Sequence, residues 1–116
     1  MSDWELVFYQ TTSGRCPVVD FLGGLSAQET AAVTKELDLL EEFGIALGSP
    51  HTRPIRGKLW ELRCRGRSQH RVFDLAVTGR RLVLLHAFTK KTQQTPPQEI
   101  DTARQRLRDY EQRGQA

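Results

Sequence analysis

Arg63, Arg71, His86, Lys90 and Lys91 are the residues of this chain whose types and spacing can do chemistry together. Arg63 lies near the end of one apolar run, "LWELRC" (59–64), and Arg71 opens the next, "RVFDLAV" (71–77). His86 and the two lysines close and follow a third, "RLVLLHAF" (81–88). In an antiparallel meander the end of the first run, the start of the second and the end of the third meet at one end of the sheet. Arginine grips a phosphate with two prongs. A lysine crowded by other cations gives up its proton more readily, which suits it to acid–base work. Histidine titrates in the useful range even when unperturbed. Cleavage of an RNA phosphodiester needs such parts: a base for the 2′-hydroxyl, cations for the charge building on phosphate, and an acid for the departing 5′ oxygen. Each residue also has a plainer reading. His86 follows four apolar residues, as a buried structural histidine would. Arg71 can pair with Glu61 across strands, and the lysines can sit in a solvated loop.

Charge sharpens the choice. From Arg53 to Lys91 there are eleven Lys/Arg against two acids, Glu61 and Asp74, so this block carries +9 and the rest of the chain −6. Such polarity within a net charge of only +3 is the footprint expected for a polyanion partner. Arg56, Lys58, Arg63, Arg65 and Arg67 are the block's candidate RNA- or phosphate-binding residues.

The elements that must position these groups can be read from pattern. "WELVFY" (4–9) alternates and is aromatic, which predicts a strand. "VVDFLGGL" holds a short helical turn ended by Gly23 and Gly24. "SAQETAAVTKELDLLEEFG" is the clearest helix: Ser26 and Glu29 form a capping box, Val33, Leu37, Leu39, Leu40 and Phe43 an apolar stripe, and Gly44 suits the C′ position. "IALGSPHTRPIRG" reads as an irregular loop. The three apolar runs follow as strands, the last two joined by a "TGR" hairpin, with Trp60, Leu62 and Cys64 on one face and Leu59, Glu61 and Arg63 on the other. In "TPPQEIDTARQRLRDYEQR" Thr95 is placed as N-cap, Pro96 at N1 and Gln98 at N3, with Ile100, Ala103, Leu107 and Tyr110 buried. The expected fold is α+β, a small, mostly antiparallel sheet with helices against one face, in the order β-α-α-β-β-β-α.

With 116 residues, 38% of them hydrophobic and 27% charged, the chain is expected to be one soluble domain over 1–116. It lacks a membrane-length apolar run, and "MSDWELVFYQ" lacks the layout of a signal peptide, so a cytoplasmic location is expected. Cys16 and Cys64 have no metal-ligand spacing. The sequence contains no HExxH, DxDxDG, GxxxxGK[ST] or GxSxG motif, which leaves acid–base chemistry without metal or cofactor, or binding alone.

Three segments, "KLWELR", "HRVFDLAV" and "LLHAFTKKTQQTPPQEIDTARQRLRDY", closely resemble the phage-derived, HigB-type family of the RelE/ParE toxin superfamily over roughly residues 55 to 110. The resemblance implies a RelE-like, microbial-RNase-type fold and the toxin of a type II toxin–antitoxin system. Such a protein is a ribosome-dependent mRNA endonuclease that inhibits translation, and a cognate antitoxin, often a small helix-turn-helix protein, holds it inactive. It implies that Arg71 is phosphate-binding or catalytic, that Lys90 and Lys91 are the basic residues after the last strand, and that Arg63 borders the same site. His86 lies in the family's "LLHxF" motif. Many relatives carry Tyr where this chain has Asp74, and only Tyr9 and Tyr110 are tyrosines here, which leaves the general base open. Other readings are a non-catalytic toxin or binding module of the same fold, either a ParE-like gyrase inhibitor or a nucleic-acid-binding regulator, and a phage remnant that keeps the fold without activity.

Overall fold

The computed structural model describes residues 4–48, 50–65, 69–77, 80–90 and 95–114, with residues 65 and 69–77 described by their backbone. Lys91, Arg67 and part of the "TGR" connection lie outside the described residues. The elements run β1 (Glu5–Phe8), α1 (Pro17–Gly23), α2 (Ala27–Phe43), a 3₁₀ turn (Gly44–Leu47), β2 (Thr52–Arg56), β3 (Leu59–Arg65), β4 (Gln69–Val77), β5 (Arg81–Lys90) and α3 (Pro97–Gln112).

The α+β class is as expected, and two features differ. First, the segment read as a loop contains a strand. β2 pairs antiparallel with β3, completing a five-stranded sheet of order β1-β5-β4-β3-β2. Pro54 conceals it in the sequence, because proline cannot donate to a ladder and is tolerated mainly on edge strands such as this one. Second, the helices cover both faces rather than one. On one face Val18 of α1 and Val33, Leu37 and Leu40 of α2 pack on Leu62, Cys64, Leu82, Leu84 and Ala87. On the other, Ala103 and Tyr110 of α3 pack with Tyr9, Leu59, Val83, Leu85 and Phe88. β5 is thus apolar on both sides, which is why its sequence is a continuous rather than an alternating run.

α2 begins as its sequence predicts: the Ser26 hydroxyl accepts from the Glu29 N–H at 3.2 Å. Its stripe is narrower than expected, since Leu39 is half-buried and Phe43 is exposed. At its end Gly44 has φ +58°, and a Cβ there would collide with the Trp4 indole, so both the turn and the packing require glycine.

β5 also changes phase. Phe73 lies opposite His86 but Asp74 opposite Leu84, so Leu85 is an extra residue, a β-bulge. Val83 faces α3 before it, and Leu85 itself, His86 and Phe88 do so from the bulge onward. The bulge therefore turns the His86-to-Lys90 end of β5 toward α3.

Candidate phosphate-binding site

The strand register brings the predicted cations together. Arg63 lies opposite Arg71, and Arg65 opposite Gln69. Across the next ladder Arg71 is opposite Phe88, and Gln69 opposite Lys90. Lys90 is therefore two strand spacings from Arg65, about 10 Å. Lys90 itself is buried, two residues beyond Phe88. The cross-strand neighbours of Glu61 are Phe73 on β4 and Arg53 on β2, so Arg71 is not its direct partner in the ladder.

Glu61 lies two residues before Arg63, in the interior of β3. It is fully buried, and a buried carboxylate is costly unless cations and donors surround it. The Thr95 hydroxyl donates to its Oε2 at 2.8 Å. The Nε atoms of Arg53 and Arg63 lie 3.3 and 3.9 Å from its Oε1. Both Nε atoms are buried, yet the two side chains are 43% and 26% exposed, so their exposure lies elsewhere on the side chain. Glu61 thus attracts two arginines at their inner nitrogens by charge, without a hydrogen bond from either Nε to Oε1. Thr95 is not the helix cap its position suggests. α3 starts one residue later, with Pro96 as N-cap and Pro97 at N1, and the hydroxyl serves Glu61 instead.

His86 is held from both sides by α3. Arg106 Nη1 lies 3.0 Å from Nδ1, and it also donates to the Leu85 carbonyl at 3.0 Å. Arginine can only donate, so Nδ1 is the acceptor and Nε2 carries the proton that it donates to Glu99, 3.0 Å away. Burial depresses the pKa of His86; Glu99 opposes this and Arg106 adds to it. The ring is therefore neutral, with both nitrogens engaged. Burial also lowers the pKa of Arg106.

The tyrosines are enclosed as well. Tyr9 and Tyr110 are 5% and 2% exposed. The Tyr9 hydroxyl donates to Asp109 Oδ2 at 2.6 Å, and burial, with Asp109 beside it, raises its pKa. Arg113 completes the cluster, 2.8 Å from the same carboxylate oxygen and over the Tyr9 ring.

Two predicted phosphate-binding residues lie elsewhere. Arg56 and Lys58 flank the β2–β3 turn, next to Leu59, whereas Arg63 and Arg65 lie at the far end of β3. Six residues of strand separate Leu59 from Arg65, about 20 Å. Among the described residues, no group of three or more His, Cys, Asp or Glu side chains is placed to hold a metal ion. No helix among them is long and apolar enough to cross a membrane.

Residues 20–108 match the family described as "Phage derived protein Gp49-like (DUF891)". The chain belongs to this family. The Gp49-like match spans most of the chain, from within α1 to within α3, and so takes in the whole β2–β5 meander, Glu61 and the His86 clasp. No curated protein matches the chain.

Arg53, Glu61, Thr95, Glu99 and Arg106 were not among the candidates that the sequence suggested. Glu61 did leave a signal, as one of only two acids in the basic block and on the Leu59/Arg63 side of its strand. The others depend on β2 and α3 folding back across the sheet.

Proposed function

We propose that this Gp49-like chain is the toxin of a type II toxin–antitoxin pair and acts as a ribosome-dependent mRNA endonuclease. The observation that carries the reading is the register at the end of the meander, where Arg63 lies opposite Arg71 and Lys90 lies opposite Gln69, beside the buried Glu61. In this reading Arg63 and Arg71 hold the scissile phosphate and stabilise its growing charge. The 2′-hydroxyl attacks the adjacent phosphorus, the P–O5′ bond breaks, and a cyclic phosphate and a 5′-hydroxyl are left. Lys90 and Lys91 assist proton transfer, and Glu61 keeps Arg63 in place. His86 fastens α3 to β5. The cognate antitoxin is a small helix-turn-helix protein, and translating mRNA on the ribosome is the substrate.

One observation favours a second reading, a non-catalytic toxin of the same fold that blocks gyrase or binds nucleic acid. The two tyrosines are buried and both His86 nitrogens are engaged, so these three described residues are poorly placed for acid–base work. Induction of wild type and of Arg71→Ala, with mapping of transcript ends, separates the two. The nuclease reading expects new breaks within codons for wild type and none for the variant, with growth restored although the variant still folds. Undiminished toxicity in a folded Arg71→Ala chain would refute the site. DNA damage with intact transcripts would replace the nuclease by the gyrase reading.

A further inference from the structure

A second cationic surface lies at the opposite end of β3. A groove of about 300 Å³ runs between the β2–β3 turn and α3. Its floor includes the buried Leu59 and the half-buried Leu107. Around it stand Arg56, Lys58, Arg104 and Arg108, all exposed, and one acid, Glu111. Lys58 Nζ is 3.1 Å from Glu111, so that acid is already engaged. Among the described residues Arg56, Arg104 and Arg108 take part in no ion pair. Arg104 and Arg108 stand one helical turn apart, where like charges repel. A groove that concentrates repelling cations is complementary to a chain of closely spaced phosphates.

We infer that this groove is a second, non-reacting RNA contact that holds the backbone of a single strand about 13 Å along β3 from the Arg63–Arg71 pair. The inference rests on the reading that the chain acts on RNA. The groove contributes affinity and orientation; the bond that breaks lies at the other end. Recognition is of backbone phosphates, so it is indifferent to sequence.

The test uses the full chain and a fluorescein-labelled 2′-O-methyl RNA of about twelve nucleotides, which keeps the phosphates but lacks the attacking hydroxyl, so binding is read apart from cleavage. Affinity is measured by anisotropy across a salt series for wild type, the double variant Arg104→Ala/Arg108→Ala, and Arg63→Ala. Both groove arginines are exposed on a helix and alanine is the better helix former, so the double variant is expected to melt no lower than wild type. It should bind about tenfold more weakly, and the slope of log affinity against log salt should flatten by about 1.4, ~0.7 for each lost phosphate contact. Arg63→Ala should flatten it separately, by about half as much. A double variant that binds like wild type, while Arg63→Ala does not, would overturn the groove and leave the first site standing. Absence of salt-dependent binding by wild type would overturn it too, whatever transcript mapping finds. So would displacement of the RNA by poly-glutamate at equal charge, since the groove would then suit an acidic polypeptide instead.

Discussion

Glu61 decides how the candidate site is built, because a fully buried carboxylate must be neutralised where it stands. Replacing it by glutamine keeps the shape and a hydrogen-bond acceptor for Thr95 but removes the charge that gathers Arg53 and Arg63. Because both arginines keep contact with water, the loss should fall short of that for a fully desolvated pair. Glu61→Gln is expected to cost about 2 kcal/mol, read as a lower urea midpoint at unchanged m-value. A variant as stable as wild type would show that the arginines do not need their anchor. At this scale the sequence showed which residues are cationic, but not which of them share a carboxylate.

At the scale of elements, the bulge at Leu85 and the helix α3 act as one device. The extra residue turns His86 toward α3, and Glu99 and Arg106 close on its two nitrogens. A pH dependence follows. Burial holds the folded pKa of His86 below its ordinary 6.5. Below pH 6.5 the unfolded chain binds a proton that the folded chain refuses, so unfolding is favoured as the pH falls. The loss continues down to the folded pKa and then levels off, at up to about 1.4 kcal/mol per pH unit within that window. Urea unfolding between about pH 7.5 and 5.5 should show this loss in wild type, and His86→Gln should show less of it. Equal slopes in the two chains would place the acid sensitivity elsewhere. The helix, the strand and their faces were legible from periodicity; the bulge was not. "LVLLHAF" is compatible with either phase until β4 supplies the register.

At the scale of the whole molecule, two cores share one sheet and distant parts of the chain are tied together. Tyr9, just past β1, reaches Asp109 near the end of α3, one hundred residues away in sequence. Arg113 holds the same carboxylate and also donates to the Gln10 carbonyl. Tyr9→Phe should keep the packing and lose the bond, at a cost of about 1 kcal/mol because Arg113 still satisfies Asp109. A melting temperature about 4 °C lower would register it. No change would mean that packing alone closes the molecule.

The sequence by itself determined the α+β class, the meander, the capping of α2 and the end of the sheet at which Arg63, Arg71 and Lys90 assemble. Those features rest on local periodicity and on the geometry of short antiparallel connections, which any chain with this pattern must obey. Tertiary structure alone decided the rest. It pairs β2 with β3 despite Pro54, places α3 on the face opposite α1 and α2, and gives the Thr95 hydroxyl to Glu61. It also divides the basic block, leaving Arg56 and Lys58 with Arg104 and Arg108 at the other end of β3. The physical reason is common to all of these: burial, ion pairing and strand register depend on residues far apart in the chain, and only the folded sheet brings them within a few ångströms of one another.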